Sequence, residues 1–504
     1  MNKSIYILFI GILVLFSSCR KDFDTVASSG NLEFSKNKVY LDTVFTNIGS
    51  STYSLKVYNR SNKDISIPVV QLAKGLNSKY RMMVDGMTGN GKIFNNVELL
   101  AKDSLYIFIE TTANIADTEP DFTYNDKILF DLGSNQQSVD LATLIQDANF
   151  IFPNRALATD PKEILNVVGL QGLEGHTLTD SELHWTSAKP YVIYGYAAVP
   201  AGKTLIIDKG TRVYFHAESG LIIDDTATLN INGEVNIFDA EGKIITQNEV
   251  TFEGDRLEPD FEDVPGQWGT VLIFSGASNN INHLTLKNAT VGLFMQRNVV
   301  ATTPNLVVNN SQFYDCSSFG ILARNSTIIG KNLVVNSAGQ ANLYCSQGGN
   351  YDFIHCTFNN NWSSSKQYSV WLDDAVRDNN GAIFGSLPLN SNFKNCIIYG
   401  SNRIELLLDK EGTVFNANFD HCLVQFKDEN TTFVSNPLYD LIRNQQNGNI
   451  KNQDPKFKNI KKNQLNILTG SAAINKGNAS FSTFSDILEK SRASSSDIGA
   501  YQFQ

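Results

Sequence analysis

The stretch that decides the fold spans residues 288–422 and returns to one short pattern. It reads Lys287-Asn288-Ala289, Asn309-Asn310-Ser311, Lys331-Asn332-Leu333, Ile354-His355-Cys356, Lys394-Asn395-Cys396 and Asp420-His421-Cys422. Each Asn or His precedes a small or apolar residue and then a short run rich in Val, Ile, Phe and Thr. The Asn/His positions lie 22, 22, 23, 40 and 26 residues apart. A period in the low twenties marks a solenoid, whose repeats must stack to bury their apolar sides. Leucine-rich repeats share the period but need a Leu-x-x-Leu-x-Leu run and a helical return, which this sequence lacks. Segments 305–308, 320–323, 326–329 and 368–372 are strand-sized, and the residues between them favour turns. The pattern predicts a parallel β-helix with two or three short strands per rung. Rungs about 4.8 Å apart would stack Asn288, Asn310 and Asn332 into an amide ladder. Asn also tolerates the left-handed backbone of a sharp corner. Cys356, Cys396 and Cys422 share one column and read as buried free thiols. Inter-rung disulfides are within reach on distance, while zinc lacks its Cys-x-x-Cys spacing.

Outside this stretch, 504 residues at net charge −10 are too many for one core and lack the basic cluster that nucleic acid would require. Residues 31–147 alternate apolar and polar in half a dozen strand-sized runs punctuated by turn clusters, which predicts an immunoglobulin-like β-sandwich. Residues 148–186, with Pro153, Pro161 and several glycines, read as an irregular connector.

At the N-terminus, Lys3 precedes an apolar run over 5–16 that is too short to span a bilayer, followed by Phe16-Ser17-Ser18-Cys19. This end resembles a bacterial lipobox, with Phe16 where Leu is usual. The resemblance implies a signal peptide over 1–18, lipidation of Cys19 and anchoring by several acyl chains. Arg20-Lys21-Asp22-Phe23-Asp24 is similar to signals that send some Bacteroidetes lipoproteins to the outer face of the outer membrane. Further resemblance to large Bacteroidetes lipoproteins, with an Ig-like module and then a right-handed β-helix, lies in Asp42-Thr43-Val44-Phe45-Thr46-Asn47, Val84-Asp85-Gly86 and Asp103-Ser104-Leu105-Tyr106-Ile107-Phe108. It resumes at Lys189-Pro190-Tyr191, Val199-Pro200-Ala201-Gly202, Gly210-Thr211-Arg212 and Pro265-Gly266-Gln267-Trp268-Gly269. Asp454-Pro455-Lys456-Phe457 and Asp497-Ile498-Gly499-Ala500-Tyr501 look like the closing segment of bacterial β-helix proteins, although Asn475 replaces the usual Asp. The resemblance implies an architecture and no reaction.

The expected organisation is therefore all-β: signal peptide 1–18, anchor linker 19–30, Ig-like sandwich 31–147, connector 148–186, right-handed parallel β-helix 187–436 and C-terminal cap 437–504. Phosphate-loop, zincin and nucleophile-elbow motifs are missing, so no cofactor or metal is expected. The loop 255–263 has carboxylates enough for Ca²⁺ without the regular ligand spacing. The candidate catalytic residues are Asp373 and Asp374 with Asp409 one repeat later, since paired carboxylates can serve glycoside hydrolysis. Lys410 and Arg403 could take part in a lyase. Trp371, Arg324 and Arg403 are the candidate glycan-binding residues. The long gap between His355 and Asn395 predicts an insertion near 378–392 over a binding face. The sequence supports a non-catalytic surface lipoprotein first, with glycan as its ligand and the membrane as partner through its lipid anchor. A polysaccharide lyase or hydrolase using the Asp patch is second, and an adhesin or stalk for a protein partner third.

Overall fold

The computed structural model describes residues 24–119, 121–155, 157, 159–167, 172–296, 303–362, 366–378, 380–492 and 496–503. The expected signal peptide and Cys19 lie outside them. Two compact units divide between Asp147 and Ala148.

The first unit is an immunoglobulin-like β-sandwich. One sheet orders Val26–Ala27, Ile65–Leu72, Thr123–Phe130, Gln137–Gln146 and Lys38–Phe45, with Ile93–Leu99 also paired to Ile65–Leu72. The other orders Glu33–Phe34, Tyr53–Tyr58, Ser104–Thr111 and Tyr80–Val84. Alternation of buried and exposed residues makes the sheets two-faced and is most regular in Tyr80–Val84 and Ser104–Thr111. Along Ser104–Thr111, Leu105, Ile107 and Ile109 enter the core while Tyr106 and Phe108 face outward.

The second unit is a parallel β-helix with three faces. Its first face is an eleven-stranded parallel sheet running from Asn149–Ile151 to Ile450–Lys451. The second and third faces belong to a sixteen-stranded sheet, because Phe319–Lys331 and Ala341–Ile354 each continue round the corner between them. The inward positions of all three faces form one continuous core, from Trp185 and Ile193 at the start to Phe426 and Tyr439 at the end. Identical residues stack on successive rungs inside it: Phe353, Phe393 and Phe419 lie 5.3 and 5.2 Å apart between ring centroids. Cys316, Cys345, Cys356, Cys396 and Cys422 are buried free thiols, and burial raises the Cys316 thiol to about 12.

The corner from third face back to first is set by one column of left-handed residues. His283, Asn310, Asn332, His355, Asn395 and His421 occupy it with φ of 47°, 50°, 52°, 53°, 52° and 49°. Asn and His bear this conformation better than most side chains, and the residue after each points into the core. Asn288 does not belong to the column. It sits between Leu284–Lys287 and Ala289–Gln296, at the corner from first to second face, and donates to the carbonyls of Glu262 and Val264 at 3.0 Å each. His283 holds the place expected for it. The expected ladder is correspondingly shorter, with Asn332 Nδ2 donating to Asn310 Oδ1 at 2.8 Å. A fuller amide ladder runs up the third face, from Asn416 to Asn390 at 2.8 Å and from Asn390 to Asn350 at 3.0 Å.

Residues 148–186 are not an irregular connector throughout. Asn149–Ile151, Gly175–Thr177 and His184–Trp185 pair with the next rung on each of the three faces and start the coil. The C-terminal residues do more than close an end. Tyr439 and Ile442 cover the last rung against Phe426. The chain beyond them then runs back along the outside of the first face. Ile467, Ala473 and Ile498 pack on Ile397 and Leu423, and Leu465, Ile487, Ala500 and Tyr501 pack on Val334. Arg492 fastens this strap to the corner column. Its Nη2 donates to Asn332 Oδ1 at 3.0 Å and to the carbonyls of Gly499 and Ala500 at 3.0 and 2.9 Å. Burial pulls its pKa down to about 10, against the opposing pull of Asp486 and Asp497. Arg492→Met removes these three bonds and leaves Asn332 Oδ1 without the guanidinium, and hydrogen bonds to a charged group contribute about 1.5–3 kcal/mol. The expected result is a lowered unfolding midpoint by calorimetry and faster proteolysis within 452–503.

Candidate functional site

Most of the candidate residues gather on the outer side of the second face. Its strands place Ala198, Ile222, Leu272, Phe294, Leu322, Tyr344, Trp371 and Leu407 in register on consecutive rungs. An outward column this apolar departs from the polar exterior expected of a solvated sheet. In the first rungs it is covered by the chain itself, since Leu165 and Val167 pack on Ala198, Ile222 and Leu272. In later rungs it turns aromatic and half-buried. Tyr344 and Trp371 stack with centroids 4.2 Å apart and planes within 19°, Phe319 leans on Tyr344 at 5.4 Å and Tyr368 meets Trp371 edge-on at 6.2 Å.

One residue pair further along the strands runs a charged flank. Asp373 and Asp409 are in register, and Arg377 reaches back from a hairpin of Ala375–Arg377 and Ile383–Ser386 to bridge them. This hairpin is what the 40-residue gap holds. Arg377 is ion-paired with Asp373 and lies 3.5 Å from Asp409. Asp373 is fully buried and also accepts from Tyr344 Oη at 2.9 Å and the Ala375 N–H at 2.8 Å. Asp374, equally buried, accepts from the N–H groups of Glu411 and Gly412 at 2.7 and 2.9 Å and fixes the loop after Asp409. Both expected catalytic carboxylates are thus engaged inside the fold. Of the three, Asp409 is the solvent-facing one. Burial, then the charge of Asp373, raises its pKa, with Arg377 opposing. Burial and then Asp373 raise the Tyr344 hydroxyl above its usual value.

The other candidates are placed less centrally. Arg324 lies on the same face, its guanidinium 5.0 Å over the Phe294 ring. Arg403 stands apart from the strip, exposed and ion-paired with Glu429, in an open cleft of about 480 Å³ that Tyr368 also lines. Lys410 is exposed beside Asp409. The 255–263 carboxylates disperse into separate contacts: Asp255 with His216 at 2.8 Å, Glu258 with Arg256 at 3.1 Å and Asp263 with Lys462 at 3.6 Å. Among the described residues no three His, Cys, Asp or Glu side chains are grouped to hold a metal ion.

Sequence reasoning missed Tyr344, Arg377 and Glu405. Tyr344 was discoverable, since Ala341-Asn342-Leu343-Tyr344 aligns with Tyr368-Ser369-Val370-Trp371 one rung on. Arg377 had no signal, because only the hairpin returns it to Asp373. Glu405 is fully buried at the corner below the Arg403 cleft, where it accepts from the Asn402 N–H at 2.7 Å and Ser369 Oγ at 3.2 Å. Gly400 leaves it room, because a Cβ there would lie 2.2 Å from Glu405 Oε1.

No protein-family model matches this chain, and no curated protein matches it in sequence. Solved structures do. The E. coli chaperone DraB is similar at 16% identity over 24% of this chain and 57% of its own, with a TM-score of 0.17. An ASH/PapD-like domain of human CEP192 is similar at 13% identity over 24% and 89%, with a TM-score of 0.16. The catalytic unit of a GH87 alpha-1,3-glucanase from Streptomyces thermodiastaticus is similar at 11% identity over 73% of each chain, with a TM-score of 0.26. The chain thus spans less than two thirds of the first of these. At such scores the fold rests on the strand register described above, and function rests on the site.

Burial raises the Glu405 pKa from 4.5 to about 8, against the hydrogen bonds from Asn402 and Ser369. A raised folded-state pKa means that the folded state binds the proton more tightly than the unfolded chain does. Its stabilising effect is complete below pH 4.5 and is lost as the pH climbs through about 8. Glu405→Gln keeps one of the two acceptor oxygens and removes the charge. The difference in melting midpoint between this variant and the wild type is expected to shift in the variant's favour as buffers go from pH 5 to pH 9.

Proposed function

We propose that this chain is a non-catalytic glycan-binding protein of the bacterial cell surface, anchored in the outer membrane by lipid on Cys19, of the kind its resemblance to Bacteroidetes lipoproteins implies. The observation that carries the reading is the half-exposed Tyr344–Trp371 stack, set on adjacent rungs and flanked by Arg377 and Asp409. Aromatic side chains pack against the apolar side of a sugar ring, and the flank supplies hydrogen-bonding groups for its hydroxyls. Because the two rings are packed face to face 4.2 Å apart, their outer edges together form one apolar patch on which a sugar can rest. The state of the carboxylates supports binding without cleavage. Hydrolysis needs an acid and a second carboxylate facing one bond, whereas Asp373 is held by Arg377, Tyr344 and Ala375, and Asp374 by the 411–412 loop.

The test uses the soluble chain beginning at Arg20, run by affinity electrophoresis against neutral and acidic polysaccharides. Trp371→Ala is expected to weaken binding at least tenfold, about 1.4 kcal/mol, with no new reducing ends and no absorbance from unsaturated uronate. Product formation that disappears in Asp409→Asn would make the protein an enzyme and overturn the proposal. In whole cells, labelled palmitate is expected in the wild type and not in Cys19→Ala.

A further inference from the structure

A buried imidazole ties the lead segment to the coil. His176 lies in Gly175–Thr177, the first strand of the second face, and is 9% exposed. Its Nδ1 is 2.9 Å from Glu163 Oε2 and its Nε2 is 3.1 Å from Glu182 Oε2. Glu163 belongs to the lead segment 159–167, which sets Leu165 and Val167 on Ala198, Ile222 and Leu272. Its other oxygen accepts from the Thr177 N–H at 3.0 Å. Glu182 stays with the coil and accepts from the N–H and hydroxyl of Thr179 at 2.8 and 2.7 Å.

One ring between two carboxylates needs two protons. An imidazolium donates from both nitrogens, whereas a neutral imidazole has one N–H and turns a lone pair toward the other oxygen. The neutral ring has a substitute partner on one side. The Asn154 side-chain amide stands 3.0 Å from Nδ1 and can donate to it. The neutral ring therefore keeps its proton on Nε2 for Glu182 and drops Glu163. Among the described residues these two glutamates are the charges that act on the ring. Ala197 is in register with it on the next rung. Lys162 is paired with Glu174 at 2.5 Å and Asp180 with Lys203 at 2.7 Å.

We propose that His176 is a pH-sensitive clamp on the lead segment: charged, it holds 159–167 over the first rungs of the outer column, and neutral, it releases Glu163 and loosens that cover from Ala198, Ile222 and Leu272. The same column carries Phe294, Tyr344 and Trp371 further along, so the clamp sets how much of the apolar strip lies open. Burial pulls the His176 pKa down, and the two glutamates outweigh it and raise it above 6.5. Burial raises the glutamates, but their bonds from Thr177, Thr179 and His176 hold them below 4.5. The imidazolium's stabilising effect is complete below pH 6.5 and is lost as the pH climbs through its raised value. That of the glutamates is complete above pH 4.5 and is lost on acidification. The clamp is closed between those limits and opens on the alkaline side.

The experiment is amide hydrogen exchange on the full chain beginning at Arg20, at about pH 5.5 and about pH 8.5, with each rate divided by that of the unfolded chain at the same pH. The reporters are Glu163, Leu165 and Thr177, whose N–H groups bond the Asn154 carbonyl, the Leu173 carbonyl and Glu163 Oε1. Their protection is expected to fall about threefold or more at the higher pH, with that of Ala341–Ile354 unchanged. In Glu182→Gln the substituted amide donates to Nε2 and lets the neutral ring keep its proton on Nδ1 for Glu163, so the fall is expected to vanish. Gln serves in such a capping turn as Glu does, so this variant keeps its fold. In His176→Gln protection is expected to be equal at the two pH values. Equal wild-type protection at both, a fall that persists in Glu182→Gln, or one shared by Ala341–Ile354 would overturn the proposal.

Discussion

The second unit depends on one backbone constraint, a left-handed residue at the corner where each rung returns to its first face. His283, Asn310, Asn332, His355, Asn395 and His421 keep φ between 47° and 53° through six rungs. Because every corner turns at the same point, the residue after each enters the core in the same place and like stacks on like. The phenylalanine stack and the buried cysteine column follow from that registration. So does the outer column that carries Tyr344 and Trp371. A corner displaced by one residue would turn each following strand over and exchange its core side for its solvent side.

The coil is finished by its own flanking chain, and this decides what stays open. The lead segment covers the outer column at Ala198, Ile222 and Leu272. The C-terminal strap covers the first face from Leu423 back to Val334. Among the described residues, what remains uncovered on the second face is the stretch where the outward residues become aromatic and Arg377 comes back to the carboxylates beside them. Apolar surface is left there beside charge, an arrangement that serves an amphipathic ligand better than it serves stability.

Much of this architecture was legible in the sequence, because strand period and corner chemistry both recur locally. The first corner was misplaced since Lys-Asn-small occurs at two different corners, and only strand pairing separates Asn288 from His283. The early rungs at Asn149–Ile151 and Gly175–Thr177 were hidden by their brevity and by the prolines between them. The strap could not be read because its partners, Asn332 with Arg492 and Gln312 with Tyr501, lie more than a hundred residues apart. At the site, Trp371 and Asp409 lie on strands of the second face. Adjacency of Asp373 and Asp374 in sequence says nothing of burial, and in the fold each is buried with its own hydrogen bonds.

The most direct measurement is a crystal structure of the chain soaked with an oligosaccharide of a polymer that it binds. The account predicts an intact chain lying along the second face, with sugar rings over Tyr344 and Trp371 and oxygens toward Arg377. A cleaved sugar, with its new end beside Asp409 and Asp373, would contradict it.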